Sequence, residues 1–468
     1  MSESSRLTSL RAALRGGVME RGDHGYDERR QVFNAMHDKR PAVIARCESA
    51  ADVAAAVNFA RQNGLEIAVR SGGHSVAGLS ACDDGMLIDL AGLTQISVDP
   101  KARTARAGGG VLWGEFDAAT QQHALHTPGG RVTTTGVGGF TTGGGYGWTS
   151  SKYGLTCDNL ISAEVVLAEG RLVTASEREN GDLFWGLRGG GGNFGIVTNF
   201  EYRLHPLGPL VLAGLALWPL ERAADVMRAW RDYVDGAPDE LSTACAILTA
   251  PPEPFVPDPL KGRVAIGMVG MYVGHPDAGA KVMQPLRDLS PAVDLFQPMP
   301  YTAFQALLDP TAPKGWRSYW RGEYLQDLSD GAIEIFVRHA PELAAAGAPF
   351  SQMIVFRIGQ GVASTADEST AFSHRGANYL FHPISMWQRA ADDERLIEAS
   401  RGFCDAMRPF ATGGAYLNFT PEERVRDAFG AAKYERLVAL KDRYDPDNIF
   451  RLNQNIKPSR HAGSAAQA

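Results

Sequence analysis

The stretch from Val69 to Gly78, "VRSGGHSVAG", carries an apolar strand into a glycine pair, a histidine and a second tight turn. The residues before it, "NGLEIAVR", read as a short β-strand, because Ile67 and Val69 are β-branched and Gly64 ends the helical pattern upstream. That pattern lies in "RPAVIARCESAADVAAAVNFARQNG", which reads strand, turn, helix with Glu48 and Ser49 at the helix start. The whole is a βαβ-like unit. At its end the backbone N–H groups freed by Gly72 and Gly73 can point together into a concavity for an anion of the pyrophosphate kind. His74 stands beside that concavity, either as a hydrogen-bonded turn residue or as one facing a ligand.

The chain has 468 residues, which predicts two or three domains. A net charge of -7 and the lack of a long basic run exclude a protein built on nucleic-acid phosphate contacts. The N-terminal "MSESSRLTSLRAALRGG" has no continuous apolar core of a secretory signal, and "LVLAGLALWPL" is far too short to span a membrane. Cys47, Cys82, Cys157, Cys245 and Cys404 are odd in number and widely spaced, so reduced thiols and a cytoplasmic location are expected. No C-x-x-C pair or other metal signature occurs. Gly190, Gly192 and Gly195 spell G-x-G-x-x-G, but "LFWGLR" precedes them and the strand "GIVTNFEY" follows, which is not a strand-to-helix dinucleotide turn.

Residues 1–35 read as a polar N-terminal arm. A first domain runs over 36–208, and its richest glycine segment is "PGGRVTTTGVGGFTTGGGYG" (128–147). Because well-formed strands follow that segment, it reads as a ligand-facing loop inside a domain rather than a linker. From 209 to 410 helices such as "ERAADVMRAWRDYVDG" alternate with strands such as "RVAIGMVGMYVG" and "FSQMIVFRIGQG", an antiparallel sheet with helices. Residues 411–458 form a C-terminal segment that contains an amphipathic helix ended by Asp445 and Pro446, and 459–468 read as a disordered tail. The fold class is α+β.

Four blocks in order, "RSGGHSVAG" (70–78), "GVGGFTTGGGYGWTSSKYGLTCDNL" (136–160), "FWGLRGGGGNFGIVT" (184–198) and "YDPDNIFRLNQNI" (444–456), resemble the berberine-bridge-enzyme-like flavoproteins of the vanillyl-alcohol-oxidase superfamily. The resemblance implies a two-part FAD-binding domain of the PCMH type under a substrate domain, with the C-terminal segment returning to the flavin. It implies FAD bound covalently twice: through His74, and through Cys157 of "YGLTCDN". It places Arg70, Ser71, Gly72, Gly73, Ser75, Gly78, Thr135, Gly136, Gly139, Thr142, Gly143, Gly145, Gly147, Asp158, Val197, Asn418 and Asn453 at the cofactor, with Thr135 governing oxygen access.

The same resemblance makes Tyr416 of "GGAYLNF" the residue that takes the substrate proton, with His382 of "NYLFHPISMW" as the second candidate. A phenol's ordinary pKa near 10 requires that the site stabilise the phenolate. The aromatic residues Tyr301, Trp316, Tyr319, Trp320 and Tyr379 are candidates to stack on a substrate, though such groups commonly serve packing. The reaction implied is oxidation of an alcohol (a sugar, glycoside or benzylic alcohol) or of an amine, with molecular oxygen as final acceptor. The alternatives are a dehydrogenase with another acceptor and a flavin-binding protein without turnover. The partners expected are a small-molecule substrate and oxygen, with neither nucleic acid nor membrane.

Overall fold

The structure, a computed structural model, describes residues 3–345, 350–421 and 424–462. The βαβ unit forms as its sequence dictates. Strands Val43–Arg46 and Ile67–Arg70 flank Met86–Asp89 in parallel, joined by the helix Ala50–Asn63. Ser49 Oγ accepts the Asp52 N–H at 3.2 Å while the Asp52 carboxylate accepts the Glu48 N–H at 2.9 Å, so the helix start is capped reciprocally. Gly64 ends the helix at φ 64°, a conformation that favours glycine.

The N-terminal residues are more than an arm. Glu3–Ala13 is helical, and Val18–Glu20 pairs antiparallel with Val43–Arg46 as the outer strand of this sheet. At the other end Ser459–Ala462 forms a helical turn; the rest of the expected disordered tail, 463–468, lies outside the described residues.

A second sheet of the first domain is antiparallel, in the order Ile96–Asp99, Thr104–Gly108, Ile196–Arg203, Leu160–Val166, Leu172–Ser176. Phe200 and Tyr202 of its central strand pack with Trp113 and Phe116 of the helix Trp113–Gln121, with Phe184, and with Leu437 of the C-terminal helix. That helix, Val425–Tyr444, is interrupted at Gly430 and carries the end of the chain back onto the first domain.

Besides a two-stranded pairing of Leu125–His126 with His205–Pro206, there is a sheet of ten strands. Its centre is Val264–Tyr272, Leu241–Thr249, Gln352–Arg357 and Tyr379–Trp387, all antiparallel neighbours. Four helices, Ala223–Val234, Pro276–Arg287, Asp330–Ala345 and Asp393–Met407, cover one face through Trp230, Met283, Phe336 and Phe403. Fully burying side chains of this size contributes about 1.5–3 kcal/mol each. The other face turns toward the first domain. Because side chains alternate along a strand, Met353, Val355, Tyr379 and Phe381 go to the helices while Ile354, Phe356, His382 and Ile384 go to the opposite side. All five cysteines are buried thiols, and among the described residues no helix is long and apolar enough to cross a membrane.

Candidate active site

A cavity of about 370 Å³ opens between the first domain and the ten-stranded sheet. Its floor is the loop after Ile67–Arg70, the segment 130–146 and the turn Gly189–Gly192; its roof is Trp320, Gln352, Ile354, Phe356, His382, Ile384 and Met386. Leu417–Thr420 and Phe450–Gln454 close one side.

Gly72 and Gly136 show why glycine is required in the floor. A Cβ on either would overlap the backbone nitrogen of the other, so two segments 64 positions apart in sequence touch main chain to main chain. The segment expected as a loop begins instead as a short helix, Val137–Thr142, because Val137 and Thr141 are buried and anchor it. Only some of its glycines border open space. A Cβ on Gly139 would meet nothing within 4 Å, whereas Gly145 packs on Thr156 and Gly147 on the Gly129 carbonyl.

Of the residues expected at the cofactor, Ser71, Gly72, Gly73, His74, Ser75, Thr135, Gly136, Gly139, Thr142, Gly143, Val197, Asn418 and Asn453 line the cavity. His74 is half-buried at the wall. It stacks on Phe33 at 4.2 Å and holds Thr134 Oγ1 through Nε2 at 2.9 Å. Burial brings its pKa down to about 4, so the ring is neutral.

The other expected residues do not line the cavity. Arg70 is buried in an ion pair with Asp89 at 2.6 Å, and Gly78 packs on His37. Gly145 and Gly147 face protein, as above. Asp158 accepts two hydrogen bonds from Arg375, at 2.9 and 2.6 Å. Cys157 is 0% exposed and absent from the cavity wall, packed in the core with Trp148 and Leu155. Burial raises its thiol pKa strongly, the opposite of an activated thiolate.

Tyr416 also stands off the cavity wall. Its hydroxyl oxygen lies behind the wall and accepts from the N–H groups of Gly145 (3.2 Å) and Tyr146 (3.1 Å) and from Asn418 Nδ2 (3.1 Å). Burial pushes its pKa up to about 12 despite those bonds. The turn Leu417–Phe419 instead presents Phe419 to the cavity.

His382 does reach the cavity. It lies between Phe419, stacked at 4.0 Å, and Trp320, edge-on at 5.6 Å. Its Nδ1 is 2.6 Å from the Arg321 carbonyl, which can only accept, so Nδ1 carries the proton and Nε2 offers a lone pair. Burial, more than the nearby Arg131 charge, lowers its pKa to about 3.

Among the candidate substrate aromatics only Trp320 lines the cavity. Tyr379 points to the helix side and bonds Asp235 at 2.5 Å; Tyr319 packs with Trp387 and Leu396. Tyr301 is buried beside His126, and Trp316 meets Phe350 at 4.9 Å. Sequence reading missed Gly189–Gly192, Phe140, Arg131, Gln352, Ile354, Phe356 and Phe419. The signal for Arg131 was present, as the one charged residue within the glycine-rich segment 128–147.

The depressed histidines carry a stability consequence. His126 and His382, held near 3, bind a proton in the unfolded chain below pH 6.5 but not in the folded one, so their contribution is full above 6.5 and is lost as pH falls. Each gives about 1.4 kcal/mol per pH unit. Asp117, raised to about 7 by burial, acts oppositely between its unfolded pKa and 7. The net loss from these three groups on acidifying from pH 6 to 4 is about 1.4 kcal/mol per unit. Urea unfolding midpoints across that range measure the slope, to which His74 and His205, both lowered to about 4, add in the same direction, and Asp117→Asn steepens it by about 1.4 kcal/mol per pH unit.

The wall fits a long polar cofactor with a flat body. Ser80 Oγ and Asn453 Oδ1 line the cavity, buried and without hydrogen-bond partners, and Gly139 and Gly192 leave open space where a Cβ would stand.

Comparison with known proteins agrees with this geometry. The family model described as FAD binding domain matches residues 41–176, and that described as berberine and berberine like matches 415–457. The chain is 30% identical to (R)-6-hydroxynicotine oxidase of Paenarthrobacter nicotinovorans, covering 97% of this chain and 99% of that one. It is 27% identical to glucooligosaccharide oxidase of Sarocladium strictum, over 94% and 92%. The crystal structure of 6-hydroxy-D-nicotine oxidase from Arthrobacter nicotinovorans superposes with a TM-score of 0.85 at 28% identity, covering 95% and 98%. With both family blocks in place around one cavity, the chain belongs to the berberine-bridge-enzyme-like FAD-linked oxidoreductases.

Proposed function

We propose that this protein oxidises an alcohol or amine borne on an apolar body, with His382 as base and molecular oxygen as final acceptor. The observation that carries the reading is the His382 imidazole on the cavity roof, its Nδ1 proton held by the Arg321 carbonyl. FAD held along the floor by residues such as Ser71, Thr135 and Asn453 would supply a two-electron acceptor for the substrate's hydride, with oxygen as the final acceptor. His382 Nε2 takes the proton from the substrate hydroxyl or amine, leaving a carbonyl or imine. Trp320 and Phe419 hold the imidazole plane and exclude water from it. Thr135, small and at the wall, leaves room for oxygen.

The roof decides between substrate classes. Ile354, Phe356, Ile384, Met386 and Trp320 offer few hydrogen bonds, and Gln352 is the one amide among the roof residues. Sugar hydroxyls left unpaired there would each cost about 1–3 kcal/mol, so a benzylic alcohol or cyclic amine fits better than a sugar. Anaerobic bleaching of the flavin absorbance tests this: aromatic alcohols and cyclic amines bleach it, and air restores it with stoichiometric peroxide. Bleaching by oligosaccharides alone would reverse the assignment.

The flavin is held by one covalent bond, at His74. The expected result is flavin that stays with denatured wild-type protein, is released entirely from His74→Ala and is retained by Cys157→Ala. Retention by His74→Ala would restore a role to a second residue.

A further inference from the structure

Arg131 is the one charged side chain lining the cavity among the described residues, and it has no carboxylate within salt-bridge distance there. Its guanidinium carbon sits over the rings of Phe356 (4.2 Å), Tyr146 (4.6 Å) and Trp148 (4.6 Å). Two nitrogens donate to main-chain carbonyls, Nη1 to Tyr146 at 3.2 Å and Nη2 to Gly147 at 3.4 Å, and Nε has no partner. Five N–H donors are available and two are used. The rings orient the cation and partly offset its desolvation, but they leave its charge unneutralised in an apolar chamber.

From this we infer that the substrate carries a carboxylate, which Arg131 receives while the alcohol or amine end meets His382. The planar fork of a guanidinium matches a carboxylate, and the aromatic cage fixes the fork's plane. Two further observations agree. Phe356, which Arg131 covers, stands on the roof strand paired with the one bearing His382, and Ile354 pairs directly with His382, so the floor's charge reaches the part of the roof that carries the base. The positive charge of Arg131 also opposes protonation of His382, and a carboxylate seated on it relieves that effect, raising the basicity of Nε2 when the site is filled. The substrate class is an apolar hydroxy acid or amino acid, with its anionic end away from the reacting carbon.

This inference rests on the cavity being the substrate site, so it is read by binding rather than turnover. Flavin-loaded protein is titrated with benzoate and with its neutral counterpart benzamide, following the flavin absorbance. Wild type binds benzoate at least about tenfold more tightly than benzamide. Arg131→Met loses that preference, and Arg131→Lys, which keeps the charge without the fork, retains part of it. A wild type with no preference overturns the inference whether or not the variants fold. So does an Arg131→Met protein that keeps the preference while its flavin reduction potential falls, since the cation then serves the cofactor. Full turnover in His382→Asn would remove the base assignment and leave the benzoate preference as measured, so the two failures are distinct.

Discussion

Replacing His382 by asparagine lowers the rate of substrate-driven flavin reduction by about 10²- to 10⁴-fold, the usual cost of losing a general base, or about 3–5 kcal/mol of transition-state stabilisation. Asparagine is close in size and can still donate to the Arg321 carbonyl, so the roof and the bound flavin stay as they are. Rapid-mixing reduction under anaerobic conditions isolates the step, and reoxidation by air is unchanged. Tyr416→Phe gives the converse result. It leaves the Gly145 and Tyr146 N–H groups without their acceptor, which costs about 1–3 kcal/mol of stability, with reduction slowed little. A crippled Tyr416→Phe beside an active His382→Asn would exchange the two roles.

The second large effect lies at the chain's return to the floor. Lys441 and Asp445 are both 0% exposed and paired at 2.6 Å. Lys441 also donates to the carbonyls of Asn193 (2.8 Å) and Phe450 (2.9 Å), and Asp445 accepts the N–H groups of Ile449 and Phe450. The pair therefore fastens the turn after Gly192 to the segment that brings Phe450, Leu452 and Asn453 to the cavity. Asp445→Ala strands a buried ammonium and destabilises the fold by about 3–5 kcal/mol. Chemical denaturation measures the loss, and the flavin content of the purified variant falls with it. A joint Lys441→Met, Asp445→Leu replacement costs less, because no charge is left unpaired.

Much of the fold was legible because local signals agreed with the tertiary outcome. Ser49 and Gly64 bracket the helix, and β-branched residues mark the strands at Val43 and Ile67. The glycine-rich floor lines the cavity, but which of its glycines border open space was not legible. Gly72, Gly136, Gly145 and Gly147 answer to protein atoms distant in sequence. The aromatic candidates failed for a related reason. Tyr379 and His382 share a strand, yet period-two alternation sends one to the helices and the other to the cavity, and only the sheet's partners decide which face is which. Cys157 and Tyr416 sat in the right motifs. Burial of the thiol, and the turn that exchanges Tyr416 for Phe419 at the wall, depend on packing that no motif encodes.

The separation of roof from floor has a consequence for how this scaffold can change. The roof is one face of a sheet whose other face has its own core beneath four helices, while the floor is locked by main-chain contacts such as that of Gly72 with Gly136. Gln352, Ile354, Ile384 and Met386 can therefore be exchanged for residues of other size or polarity without loosening the floor segments proposed to hold the cofactor. Libraries confined to those four positions should yield altered substrate scope at nearly constant flavin loading, whereas equal diversity at Gly72 or Gly136 should yield mostly empty or unfolded protein.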